Sequence, residues 1–252
     1  MERLKDKVIV VTGAATGLGL ADARALVAEG ARVIMTDIDV DKGAEEARDL
    51  DATFFAQDVS KESSWLELMT LVRDKFGRLD GLVNNAGIAP IAHIEEVTTE
   101  SWRQVLGIHL DGTLWGCQGA IKLMKENGGG SIVNMSSTAA LIGIGSYLAY
   151  SAAKGGIRSM TKSIAIHCRQ KKLNIRCNSV HPGSINTAMV QHALKELIGK
   201  DLLAEENPEK TRIEMGIGEP QDVAHMIVYL LSDESKHVNG AEMVIDNGDT
   251  VI

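Results

Sequence analysis

At 252 residues, with 44% apolar and 24% charged side chains, the chain is long enough to bury a core without disulfides or metal, and 25 glycines against 4 prolines exclude a linker-rich or collagen-like chain. The formal charge of −8, with Lys and Arg dispersed, argues against nucleic acid or an anionic membrane as partner and leaves a small neutral molecule as the expected ligand. Cys117, Cys168 and Cys177 are an odd set without a CxxC pair, so they read as reduced, buried thiols, with neither a disulfide framework nor a metal site expected.

Short apolar runs alternate with longer amphipathic ones, the pattern of parallel strands joined by crossover helices. The first run, Val8 to Val11, is too brief for a secretory signal core, and no later stretch reaches the length of a membrane span, so a cytoplasmic location is expected. It leads into Thr12-Gly13-Ala14-Ala15-Thr16-Gly17-Leu18-Gly19, which opens a helix from Leu18 to Glu29 capped by Gly30. Glycines here let the chain turn sharply and let a pyrophosphate approach amides at the helix N-terminus, where the dipole favours negative charge. A second strand, Arg32 to Thr36, is followed by Asp37. A carboxylate there accepts hydrogen bonds from both ribose hydroxyls of NAD and repels the 2′-phosphate of NADP, while Thr16 and Ile38 leave no cation for that phosphate, so NAD is the expected cofactor. The alternative for Asp37 is a cap on the next helix.

The third strand, Thr53 to Ala56, precedes Asp58-Val59 and a helix from Lys61 to Phe76, in which Trp65, Leu68, Met69, Val72 and Phe76 recur at helical spacing before a Gly77 cap. The fourth, Gly81 to Asn84, runs into Asn85-Ala86-Gly87, and a helix from Glu100 to Asn127 follows. The fifth, Ser131 to Met135, ends in Ser136-Ser137, and the next helix spans Tyr147 to Gln170. The sixth, Ile175 to Val180, leads to Pro182-Gly183-Ser184-Ile185-Asn186-Thr187. From Asn186 to Gly218 about thirty residues break the alternation, an insertion of the size that forms substrate loops at the carboxyl end of a sheet. A helix from Gln221 to Ser232 and a strand from Met243 to Ile245 complete an α/β fold: one doubly wound Rossmann-type domain, 1–252, with a seven-stranded parallel sheet flanked by helices.

Tyr150 and Lys154 lie i and i+4 on one helix, so their side chains leave the same face; Tyr147 has Ser151 at the matching position and cannot substitute. An alcohol that loses a hydride must also lose a proton, to a base whose pKa lies near working pH. A lysine ammonium ~4 to 5 Å away at an effective dielectric of ~20 stabilises tyrosinate by roughly 3 to 4 kcal/mol, which brings the phenol into range. His93, His181 and His192 lie near the expected cleft but lack further metal ligands. Ile88, Ala89, Pro90, Tyr147, Met189 and Leu202 are among the residues that make the expected substrate lining apolar, which favours a bulky neutral alcohol.

The Gly-x-x-x-Gly-x-Gly spacing, Asp58-Val59, Asn84-Asn85-Ala86-Gly87, Ser136-Ser137, Tyr150-Ser151-Ala152-Ala153-Lys154 and Pro182-Gly183-Ser184-Ile185-Asn186-Thr187 stand in an order that resembles the short-chain dehydrogenase/reductase family. Ile166 to Met189 and the apolar insertion are most similar to bacterial hydroxysteroid and cyclic secondary-alcohol dehydrogenases. The resemblance implies an NAD-dependent oxidoreductase in which Asp58 and Val59 hold the adenine, Asn85, Ala86 and Gly87 line the adenosine side, and Ile185 and Thr187 fix the nicotinamide carboxamide. It also implies that Ser137 hydrogen-bonds the substrate oxygen, that Tyr150 is the acid/base, that Lys154 binds the nicotinamide ribose, and that the protein is a homotetramer paired through the helices from Glu100 and Tyr147 and the last strand. His109 departs from the pattern, since the family commonly carries an asparagine there that anchors a proton-relay water. Two readings of His109 stand open, a catalytic relay and a packed core histidine. The rivals to the whole reading are a 3-oxoacyl carrier-protein reductase using NADPH and a non-catalytic nicotinamide-binding protein.

Overall fold

The computed structural model describes residues 2–251; Met1 and Ile252, the ends of the expected domain span, lie outside them. The chain runs β1 (Val8–Thr12), α1 (Gly17–Ala28), β2 (Arg32–Asp37), α2 (Val40–Asp49), β3 (Thr53–Ala56), α3 (Glu62–Phe76), β4 (Gly81–Asn84), α4 (Thr99–Leu106) and α5 (Gly112–Met124). It continues with β5 (Gly130–Met135), α6 (Leu148–Gln170), β6 (Ile175–Pro182), α7 (Ala188–Ile198), α8 (Pro208–Glu214), α9 (Pro220–Leu231) and β7 (Glu242–Ile245). The strands form one parallel sheet in the order β3-β2-β1-β4-β5-β6-β7.

Every residue of β1 is buried, because helices cover both faces of the sheet and its side chains alternate between them. Ile9 and Val11 pack with Leu26 of α1 and Val223 and Ile227 of α9. Val8 and Val10 pack on the opposite face with Trp65, Leu68 and Val72 of α3 and Ala120 and Met124 of α5. Cys117, Cys168 and Cys177 are buried free thiols in that second layer. The strand order reverses between β1 and β4, which opens a crevice at the strands' carboxyl ends, the place where such sheets bind ligands.

Three features depart from the sequence reading. Helix α2, implied after Asp37, has no bounds in that reading, because only Gly43, Glu46 and Ala47 are buried and no apolar stripe marks it. Its start is set by Asp39, whose side chain accepts from Lys42 N at 3.1 Å, and Gly43 makes room for the Phe54 ring, which a Cβ would meet at 2.1 Å. The expected helix from Glu100 to Asn127 begins at Thr99 under a Thr98 cap, widens into a π turn at Gly107–Asp111 and stops at Met124. A π turn inserts a single residue, too local a change to stand out in a periodicity read over a long window. The insertion contains α7 and α8 and is closed at its neck, where Gly218 N donates to Ser184 O at 3.0 Å and Asn186 N to Gly218 O at 2.8 Å.

Candidate active site

A cleft of about 360 Å³ occupies the crevice, and every cofactor residue expected from the sequence borders it except Gly19. Gly13, at φ +64°, turns β1 against the loop after β4; a Cβ there would lie 2.7 Å from Ala86 Cα. Thr12 Oγ1 accepts from Asn85 N and Ala86 N, both at 3.0 Å, and the Asn85 amide donates to the carbonyls of Thr12 at 2.9 Å and Gly13 at 3.2 Å. Asn85 thus borders the cleft while its side chain braces the glycine loop. Gly19 packs beneath that loop, where a Cβ would sit 2.2 Å from Gly13 O. At the start of α1 the N-cap Thr16 makes no side-chain capping bond, which leaves the first-turn amides for an anion in the cleft. That cradle fits a dinucleotide diphosphate.

Asp37 ends β2 at the cleft. Its Oδ2 accepts from Ala15 N and its Oδ1 from Asp39 N, each at 3.0 Å, so backbone amides fix the carboxylate. The cap of α2 is Asp39, not Asp37. Asp58 Oδ1 accepts from Ser60 N at 3.0 Å and Ser60 Oγ at 2.6 Å, which shapes the turn below Val59. Among the described lining residues, Lys154 is the single Lys or Arg.

At the other end of the cleft, the last residues of β5 and the start of α6 bring Ser137, Tyr150 and Lys154 together. Ser137 has an extended backbone and caps a short turn; its Oγ accepts from Ala139 N at 3.1 Å, and its hydroxyl bonds with the Tyr150 phenol. Ser136 Oγ donates to Lys154 O at 3.0 Å, and Lys154 Nζ donates to Met135 O at 2.6 Å. Burial lowers the Lys154 pKa to about 7, which is nine-tenths or more hidden from solvent at 4% exposure. Lys154 Nζ lies 5.3 Å from the Tyr150 ring centroid.

Helical spacing brings Tyr150 and Lys154 together, but the expected direction of the tyrosine pKa is corrected. Burial pushes the Tyr150 phenol up, a hydrogen bond with Ser137 pulls it down, and burial prevails. The same burial drives the lysine toward neutrality while its Nζ donates to the Met135 carbonyl, and desolvation is the largest influence on the phenol. Tyr147 lies beside Tyr150, ring centroids 6.0 Å apart, but does not border the cleft.

His109 sits in the π turn, 2% exposed, with its ring edge-on to Tyr150 at 5.4 Å. Its Nε2 lies 2.7 Å from Ile88 O and 3.0 Å from Ile88 N. Burial, aided by the Lys154 charge, lowers its pKa to about 3, so it stays neutral and does not carry a proton by its own ionisation. Gly87 is what makes room for it, since a Cβ there would lie 2.3 Å from His109 Cε1. Of the expected substrate lining, Ile88 and Met189 border the cleft, whereas Leu202 is buried elsewhere under the insertion. His93 and His192 are exposed, and His93 pairs with Glu96 at 3.2 Å. Sequence reasoning did not single out Gln57, Ile108 and Val190, which also border the cleft, or the hydroxyl of Ser136 that ties β5 to Lys154.

A family model described as enoyl-(acyl carrier protein) reductase matches residues 13–250. The chain is 43% identical to an NADP-dependent (R)-specific alcohol dehydrogenase of Lentilactobacillus kefiri, over 99% of this chain and 98% of that one. It is 37% identical to a 3-beta-hydroxysteroid dehydrogenase of Comamonas testosteroni, over 97% and 96% of the two chains. The crystal structure of levodione reductase superposes with a TM-score of 0.86 at 32% identity, covering 98% of this chain and 99% of that one.

Proposed function

Because the chain belongs to the short-chain dehydrogenase/reductase family of oxidoreductases, we propose that it interconverts a bulky, neutral secondary alcohol, alicyclic or steroid-like, and its ketone, with NAD(H) as cofactor and Tyr150 as acid/base. The observation that carries this reading is the convergence of Ser137, Tyr150 and Lys154 at one end of a cleft whose other end holds the glycine loop and Asp37. When bound, the nicotinamide supplies or accepts the hydride. The glycine loop and the open first turn of α1 would hold the diphosphate, and Asp37, fixed by Ala15 N, would receive the adenine-side ribose hydroxyls. Ile185 and Thr187, which border the cleft, would hold the nicotinamide carboxamide.

The Ser137 hydroxyl, oriented by the bond it accepts from Ala139 N, donates its proton to the substrate oxygen, which can only accept. In reduction the Tyr150 phenol gives its proton to that oxygen as the hydride reaches the carbonyl carbon; in oxidation the phenolate takes the proton back. A phenol pushed up by burial stands ready as donor, and oxidation therefore gains from alkaline pH. Lys154 bears on the phenolate when protonated, with its backbone held by Ser136. His109, neutral and fixed to Ile88, positions the Tyr150 ring edge rather than carrying charge.

Ile88, Ile185, Met189 and Val190 give the cleft an apolar rim, and the absence of a second cation from the described lining disfavours phosphorylated or carboxylate substrates. The same reading carries a homotetramer, for which exposed Leu114 of α5 and Ile166 of α6 are apolar positions to be covered; sedimentation analysis tests it. A panel of secondary alcohols and ketones followed by nicotinamide absorbance, with NAD and NADP side by side, tests the function. The expected result is turnover of cyclic alcohols with NAD; no turnover of any of them, or a preference for NADPH with carrier-bound 3-oxoacyl substrates, contradicts it.

A further inference from the structure

We propose that His181 is a positioning residue for Ser137, an inference that rests on the role of Ser137 given above. His181 lies on β6 with no solvent exposure, one residue before the Pro182-Gly183 bend. Its Nδ1 is 3.1 Å from Ser137 O and its Nε2 is 2.8 Å from Ser179 Oγ. A carbonyl only accepts, so Nδ1 carries the ring proton and donates it to Ser137 O; Nε2 then accepts from the Ser179 hydroxyl. Both ring nitrogens are satisfied in the neutral state, and burial lowers the pKa, which keeps the imidazole in that state.

The consequence falls on the geometry of β5. The strand's ladder with β6 ends where Ser136 N donates to Val180 O at 2.8 Å, so Ser137 has left the sheet; its carbonyl accepts from Ala140 N at 3.0 Å inside the turn, and the imidazole is what ties it back to β6. The imidazole extends the pairing by one residue. It locks the peptide after Ser137, and with it the turn whose Ala139 N–H orients Ser137 Oγ. Three consecutive residues at and just beyond the end of β5 thereby each hold one part of the site: Met135 O the lysine head, Ser136 Oγ the lysine backbone, and Ser137 O the imidazole. His181 touches no reacting atom and does not border the cleft.

The test compares His181→Asn, whose amide N–H takes the place of Nδ1–H, with His181→Leu, which fills the space without a donor. Steady-state rates, cofactor affinity by nucleotide fluorescence and thermal midpoints are measured for both, alone and in a Ser137→Ala background. For His181→Leu the expected result is a fall in kcat of about ten- to a hundredfold, since small misplacements of a catalytic group cost rate on that scale. Cofactor affinity stays unchanged, His181→Asn keeps kcat within about threefold, and His181→Leu adds no further loss once Ser137 is alanine. A wild-type kcat in His181→Leu, an equal loss in both variants, or full additivity with Ser137→Ala overturns the proposal. If His181→Leu does not fold, the His181→Asn arm decides alone, and a loss of about tenfold or more there at wild-type thermal midpoint overturns it. Wild-type turnover in Ser137→Ala by itself removes the parent reading instead, and is told apart by that single variant.

Discussion

Replacing Asp37 by asparagine removes a charge from the cleft while keeping the side chain's shape. The carboxylate is held by Ala15 N and Asp39 N at 3.0 Å each, so it cannot swing away from an incoming phosphate, and no Lys or Arg but Lys154 lines the cleft among the described residues. Asp37 is half-buried, which places the effective dielectric between protein and water. Two unit charges ~5 Å apart then interact by about 1.7 kcal/mol at a dielectric of ~40. A phosphate monoester carrying about −1.5 to −2 charges at neutral pH raises this to about 2.5 to 3.3 kcal/mol. Wild-type kcat/KM should therefore favour NAD over NADP by about a hundredfold. In Asp37→Asn one backbone N–H loses its acceptor, at about 1 kcal/mol, a cost common to both cofactors that cancels in their ratio. The ratio should collapse to within about tenfold of unity, and the effect should shrink in high salt. Initial rates at varied NAD and NADP measure it directly. Equal use of the two cofactors by the wild type, or an unchanged ratio in the variant, refutes the reasoning.

Gly87→Ala should lower stability by about 1 to 3 kcal/mol through overpacking, because its Cβ would fall 2.3 Å from His109 Cε1, and a second change, His109→Ala, should restore part of it; thermal midpoints that add strictly contradict this. Asp22 of α1 has both carboxylate oxygens buried without a hydrogen-bond partner, and burial holds its pKa well above the ordinary value. Its folded state binds more protons than the unfolded chain, so stability falls as pH rises above the ordinary carboxylate range. Asp22→Asn should remove that slope and gain more over wild type at pH ~8 than at pH ~5 in denaturant midpoints. Lys154 acts with the opposite sign: its folded pKa of about 7 lies below the unfolded value, so stability rises between pH ~7 and ~10, and Lys154→Met should flatten that rise while losing turnover. With the Tyr150 phenol raised, kcat for alcohol oxidation should climb with pH through the neutral range while kcat for ketone reduction stays flat; parallel profiles in both directions contradict the assignment.

All seven strands among the described residues were legible in the sequence to within two residues at either end, because each is a short apolar run between turn signals, with the central strands buried on both faces. The glycine loop and the Tyr150 and Lys154 pair were legible for a local reason, since their spacing alone puts them on one turn or one helix face. What was not legible arises from contacts between distant segments. The place of Gly19 under Gly13 O, the accommodation of His109 by Gly87, and the polar helix α2 resting on Phe54 through Gly43 have no signature in any single window. The direction of the Tyr150 pKa was not legible because i to i+4 spacing reports proximity, whereas burial, which depends on the packing of distant segments, raises it against the hydrogen bond from Ser137.

The central claim is that the Tyr150 phenol passes the proton. Tyr150→Phe deletes only the hydroxyl, and acid–base catalysis by one positioned group contributes about 10² to 10⁴ in rate. Turnover of the best alcohol by Tyr150→Phe should fall by at least about a hundredfold while NADH binds, by fluorescence titration, as it does to wild type. Turnover within a few-fold of wild type with NADH bound contradicts the account.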